Sequence, residues 1–128
     1  MSLKIPHLYT GPDGQSHWGE IEIAYNPVEA WGSPPDLGFT DFQNAASVRF
    51  RLAPPGADTG WTRAPRRQYV ITLSGEVEYE IGDGSRRRFG PGSIFLADDR
   101  TGQGHVSRGV GDAPRLCAYV ALADDVKL

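Results

Sequence analysis

His105 closes the run Thr101-Gly102-Gln103-Gly104-His105 and is followed by Val106. A ring that leaves a glycine-rich loop at the start of a strand can turn into the mouth of a barrel. Imidazole nitrogen is a good ligand for first-row cations, but a single imidazole makes no metal site. Upstream, Gln68 offers a neutral amide oxygen, a weak ligand. A transition-metal centre takes three or four protein ligands. His17 could add one from the N-terminal segment, and His7 is given no role. His105 and Gln68 are therefore the metal candidates, for a divalent transition metal (zinc, nickel, iron or manganese) held weakly. A hydrogen-bonded, metal-free His105 is the preferred reading.

Asp98-Asp99 is the one adjacent carboxylate pair outside the C-terminal tail. Strand alternation sends one of the two inward. His105 with Asp99 is thus the candidate catalytic pair, an acid/base arrangement that needs the carboxylate within hydrogen-bonding reach of the ring. The preferred alternative is a loop cap, with the carboxylates accepting from the N–H groups of residues 101–104. Arg66 shares strand parity with Gln68. A guanidinium brought into a barrel needs an acceptor, either Asp98 or Asp99 as an ion pair or an anionic ligand gripped by parallel hydrogen bonds. The ion pair, or an arginine bent out to water, is preferred. Arg66, Gln68, His105 and Trp61 form the candidate ligand-binding set. No Ser-His-Asp order, phosphate-cradling loop or nucleic-acid motif is present.

The elements that must position these residues are short and extended. Val77, Tyr79 and Ile81 alternate with Glu76, Glu78 and Glu80, the period of a strand with one wet face. Gly82-Asp83-Gly84 suits a tight turn. Strands are expected at 20–25, 47–53, 67–74, 76–82, 85–90, 93–97, 105–108 and 115–122. In the second of these, Val48, Phe50 and Leu52 are assigned inward, and Arg49 and Arg51 outward. Residues 4–19 read as turn-rich, 26–41 as a long loop that covers or closes something, and Asp41–Ala46 as a single helical turn. Residues 124–128 read as a loose tail. Eight or so short strands without a long helix point to an all-β antiparallel sandwich or barrel.

The 128 residues fit one domain, with a core at 47–122 and an N-terminal strand and covering loop in 1–46. Sixteen glycines and ten prolines favour turns over helices. A net charge of −3 gives no general affinity for nucleic acid or anionic membrane. Arg86-Arg87-Arg88 reads as a solvated strand end. The lone Cys117 permits no internal disulfide and reads as an inert core thiol. No stretch has the length of a membrane span or the core of a signal peptide, and a cytoplasmic location is expected.

From Trp61 to His105 the chain resembles the cupin domain. Gly75 fits the glycine of the first cupin motif and Gln68 stands at its glutamate position. Its histidine positions fall on Thr62 and Ala64, or on Trp61 and Arg63. Gly102-Gln103-Gly104-His105 fits the end of the second motif, with Arg100 at its proline and Gly109 at its asparagine. The runs APRRQYV, LSGE, FGPGS and TGQGH resemble small bacterial single-domain cupins of unassigned function (RmlC-like jelly rolls), and Gly14-Gln15-Ser16-His17 extends the likeness. The resemblance selects the jelly roll among antiparallel barrels. It implies a degenerate metal site and pairing of two copies.

Three functional readings follow. One is a barrel that binds a small, anionic molecule. Another is a metal-dependent enzyme of dioxygenase or isomerase type using His105. The third is a structural or assembly protein whose barrel is only a core. If Gln68, Val70 and Thr72 face the barrel, Tyr69, Ile71 and Leu73 line its outside, a patch that calls for a cover. The N-terminal segment, through Trp18, Ile21 and Ile23, or a second copy in a homodimer could supply it.

Overall fold

A computed structural model describes residues 2–27 and 38–128. Most of the long loop expected at 26–41 lies outside these residues. What is described of it includes a two-residue ladder, β3 (Asn26–Pro27) with β4 (Gly38–Phe39).

The remaining strands are β1 (Ser2–Thr10), β2 (Ser16–Ala24), β5 (Ala45–Ala53), β6 (Gln68–Ser74), β7 (Glu76–Glu80), β8 (Arg86–Phe89), β9 (Ile94–Asp98), β10 (Val106–Val110) and β11 (Arg115–Leu122). All eight expected strands are present, and no helix occurs among the described residues. A six-stranded sheet of order β2-β1-β9-β6-β11-β5 faces a three-stranded sheet of order β10-β7-β8. Neighbours pair antiparallel except β1 with β9, which run parallel through His7–Leu96, Leu8–Ala97 and Tyr9–Asp98.

Three expectations are corrected. The turn-rich reading of residues 4–19 missed β1, whose nine residues pair with β2 from Ser2–Ala24 to Thr10–Ser16. Pro6 and a weak apolar alternation hide this strand, and pairing on both sides stabilises it. Asp41–Ala46 forms no helical turn: Ala45 pairs with Leu122, and Asn44 O accepts from Ala123 N at 2.9 Å. An isolated helical turn is a costly nucleus, whereas the extended chain finds ready partners on β11. The C-terminal residues are also held. The Arg67 guanidinium donates to the carbonyls of Ala123 and Val126, and Val126 packs on the outer face of the large sheet.

Val77, Tyr79 and Ile81 are buried as their period requires. They meet Val70, Phe89, Phe95 and Leu8 in the core between the sheets. Phe89 and Phe95 stack with centroids 4.8 Å apart, and Tyr79 meets Phe95 edge-on at 4.9 Å. Trp18 packs against both phenylalanines, so it belongs to this inner core. Ile21 and Ile23 lie beside Ile5 and Leu96 in the outer face of the same sheet. The N-terminal hairpin therefore widens the sheet and does not lie over Tyr69, Ile71 and Leu73. On the small sheet, Glu78 and Glu80 pair with Arg86, Arg88 and Arg108, and Arg87 lies over the Trp18 ring at 4.6 Å.

The strand β5 reverses the assigned polarity. Its register sets Arg49 opposite Tyr119 and Arg51 opposite Cys117, and both partners belong to the inner core. Side chains directly opposite in a ladder share a face, so the arginines are on the inner side. Val48, Phe50 and Leu52 face outward and are 56%, 68% and 69% exposed. Period 2 separates two faces but does not say which is wet.

On the outer face, Asp98 hydrogen-bonds His7 Nε2 at 2.9 Å and pairs with Arg100 at 3.0 Å. Burial pushes this carboxyl up, but the His7 bond and the Arg100 charge outweigh burial and hold it below 3.8. A carboxylate with a lower pKa in the folded than in the unfolded chain stabilises the fold above the unfolded value. That contribution disappears as pH falls through the folded value. Urea midpoints from about pH 5 to about pH 2 should fall more steeply in wild type than in Asp98→Asn. Parallel curves would remove Asp98 from the acid response.

Candidate functional site

The loop after β9 turns back on itself to deliver His105. Gly104 adopts a positive φ of 79°, and a Cβ there would collide with the carbonyl oxygen of Thr62. Only glycine lets the two backbones approach this closely. The contact is a two-way bridge, Thr62 N to His105 O and His105 N to Thr62 O, each 2.8 Å. The β1–β2 turn secures the loop from the other side. Gly14 O accepts from Gln103 N at 3.0 Å, and Thr10 Oγ1 donates to Thr101 O at 3.0 Å.

His105 Nδ1 lies 2.6 Å from Asp99 Oδ2, and Ser16 Oγ donates to the same oxygen at 2.8 Å. Asp99 is fully buried. Asp99 thus reaches the ring rather than capping its loop, and it is the arrangement expected of an acid/base pair. In the tautomer that donates Nδ1–H to the carboxylate, Nε2 is left as the lone-pair nitrogen. Nε2 has no protein partner among the described residues. Ser16 was not among the sequence candidates; its signal was its place in the Gly14-Gln15-Ser16-His17 run. His17 instead hydrogen-bonds Asp13, away from this site.

A cavity of about 530 Å³ opens beside His105. Its deep wall is apolar, formed by Val70, Tyr79, Phe95 and Ala97, all nearly inaccessible. Burial pushes the Tyr79 hydroxyl well above its ordinary value, so it stays protonated. Neutral hydrogen-bonding groups come next: Gln68, Thr62, Thr59 and Ser107. Arg49, Arg51 and Arg63 also line it, together with Phe50, Ala64, Pro65 and Tyr119, and no aspartate or glutamate among the described residues belongs to the lining.

The sequence candidates divide. Gln68 and His105 line this cavity together. Arg66 borders a smaller neighbouring cavity and donates to Ser47 Oγ at 3.0 Å. It forms no ion pair with Asp98 or Asp99, which are taken by His7, Arg100, Ser16 and His105. The strand begins only at Gln68, so parity does not carry Arg66 inward. Trp61 is half exposed and not part of the lining. Arg49 and Arg51 were missed because the apolar residues beside them looked like core.

Cupin metal chemistry can be tested against these donors. Among the described residues no group of three or more His, Cys, Asp and Glu could hold a metal ion. Around His105 the free donors are one imidazole nitrogen, the Gln68 amide and hydroxyls. They do not fit the three or four ligands of a transition-metal centre. The bridge does place the Thr62 side chain on the same face as His105, with Cβ atoms about 5 Å apart. Replacing Thr62→His should therefore raise the affinity for zinc or nickel by more than about tenfold, since a nitrogen ligand replaces a hydroxyl. Titration calorimetry reads the gain. Tight binding by wild type, or no gain in the variant, would contradict the donor count.

No protein-family model matches the chain, and no curated protein matches it in sequence. Among solved structures, the DMSP lyase DddQ of Ruegeria pomeroyi superposes with a TM-score of 0.51 at 19% identity, covering 71% of this chain and 44% of that one. A Cupin 2 conserved barrel domain protein of Salinispora arenicola gives 0.49 at 19% identity, covering 60% of this chain and 62% of that one. An uncharacterized conserved protein with a double-stranded beta-helix domain, from Klebsiella pneumoniae, gives 0.49 at 22% identity, covering 67% and 79%. The chain spans less than half of the lyase and less than two thirds of the Salinispora protein. With its two facing sheets, its glycine turns and the loop that returns His105 to the barrel, the chain has the fold of a double-stranded β-helix, and the likeness to the lyase at a TM-score of 0.51 bears on the fold alone.

Proposed function

We propose that the barrel binds a small anionic molecule in the cavity beside His105. The observation that carries this reading is the charge balance of the lining. Arg49, Arg51 and Arg63 line the cavity without a carboxylate partner, and no aspartate or glutamate among the described residues belongs to the lining; outside it Arg86, Arg88, Arg100 and Arg108 pair with carboxylates, and Arg66 and Arg67 donate to other protein oxygens. A guanidinium recognises carboxylate and phosphate by parallel hydrogen bonds, and several of one sign concentrate the opposite charge. A solid structural barrel would have no need of such an opening. A second reading, acid/base catalysis on the bound molecule by His105, is supported by its short hydrogen bond to buried Asp99. The free, buried Cys117 suits a cytoplasmic location.

Acetate, citrate and inorganic phosphate serve as test anions. At least one should raise the thermal midpoint of wild type, as any ligand of the folded state does. The rise should vanish in Arg49→Gln/Arg51→Gln. An equal rise in both proteins would be a general salt effect and would refute the anion site.

We also propose that a second copy of the chain covers the outer face at β5. Val48, Phe50, Leu52 and Leu73 are exposed there, and the ladder continues through Ala118 and half-buried Ile71. Among the described residues the outward-facing ladder positions Val48, Phe50, Leu52, Leu116, Ala118, Val120, Ile71 and Leu73 are all uncharged, so the surface that complements them is an equally uncharged one. The patch itself is such a surface, and a two-fold axis brings it onto its own copy. Ile71 is already half-buried in the single chain, which makes Phe50 the cleaner probe. Wild type should sediment as two chains and Phe50→Asp as one, because pairing would bury an unpartnered carboxylate. A wild type that sediments as one chain at micromolar concentration would refute the pair.

A further inference from the structure

The anion site just proposed has a second property, the ordering of its lining by depth. Arg49 and Arg63 are exposed and Arg51 is half-buried, so the positive charge sits at the rim. Val70, Tyr79, Phe95 and Ala97 are at most 3% exposed, so the far wall is apolar and half aromatic. Gln68 and His105, both buried, supply polar groups next to that wall, and Thr62 is exposed at the rim. A compact inorganic anion would use the rim and leave the deep wall against water. Filling about 530 Å³ takes a body of several carbon atoms or more.

Resting on the anion reading, we infer that the ligand is an amphipathic monocarboxylate, bound with its carboxylate at the arginine rim and its apolar or aromatic body against Tyr79 and Phe95. The carboxylate keeps part of its hydration at the exposed rim and exchanges the rest for guanidinium donors. Arg49 is braced for this by the Tyr119 ring, whose centroid lies 5.9 Å from the guanidinium carbon, a cation–π contact that leaves the N–H edges free. The body is held by burial of apolar surface, which scales with the area taken from water. It is also held by edge or offset contacts with the ring of Phe95. A second carboxylate at the deep end would meet no cation in the lining. Arg115, a buried arginine beside the Tyr79 hydroxyl, is not part of the lining.

Calorimetric titration with five probes separates head from body: acetate, benzoate, 2-naphthoate, the neutral 2-naphthamide and inorganic phosphate. Affinity should rise at least tenfold from acetate to 2-naphthoate. Naphthamide should bind at least tenfold more weakly than naphthoate. Arg51→Gln should erase that head-group difference while leaving naphthamide unchanged. Phosphate or acetate binding as tightly as naphthoate, and weakened by Arg51→Gln, would overturn the amphipathic ligand while the anion reading stands. Naphthamide equal to naphthoate would overturn both. No binding by any probe at millimolar concentration would also overturn both. Circular dichroism of Arg51→Gln, a rim substitution, checks that the fold is intact.

Discussion

The site depends on one buried carboxylate. Asp99 has no solvent contact, and its Oδ2 accepts from Ser16 Oγ while lying 2.6 Å from His105 Nδ1. A buried polar group in that position needs its hydrogen-bond partners in place, since leaving it unsatisfied typically costs about 1–3 kcal/mol. Three parts of the chain are thereby tied together: the start of β2, the end of β9 and the loop that returns His105. The backbone follows the same route, since Ala64 N donates to Asp99 O at 3.2 Å. The other oxygen, Oδ1, finds no protein partner. The N-terminal hairpin is consequently part of the site. It provides Ser16, and its turn fastens the loop through Gly14 O.

The inverted strand β5 is the second constraint. One register, Arg49–Tyr119 and Arg51–Cys117, puts two guanidinium groups on the cavity side and three large apolar side chains outside. Neither arrangement makes sense alone. Arginines on the cavity side call for an anion or an acid, and the lining has no acid among the described residues. Apolar residues outside require a cover, and the C-terminal residues reach the outer face near Leu122 and Tyr69. They do not cover Phe50, which is 68% exposed. The proposed ligand site and the proposed pairing surface thus draw on the same nine residues.

The opposite case is the hairpin β7–β8. Val77, Tyr79 and Ile81 are buried, Glu78 and Glu80 meet arginines, and Asp83-Gly84 turns the chain as their types suggest. There local pattern and tertiary environment agree, because the apolar face has only the core to pack against.

What the sequence determined by itself were properties carried by neighbouring residues. Strand periods, glycine turns, the expectation of no long helix and the shared parity of Gln68, Val70 and Thr72 are of that kind. The cupin-like loop also marked His105 as the residue to watch. What only the tertiary structure decided were relations across the chain. The pairing of Ser2–Thr10 with both β2 and β9, and the meeting of Ser16 with Asp99, have no local signature. The face of β5 that turns inward was equally undecided, since alternation is symmetric under exchange of its two faces. Its pairing with β11 broke that symmetry. Ladder partners share a face, so the buried Cys117 and the core residue Tyr119 fixed Arg51 and Arg49 on the cavity side.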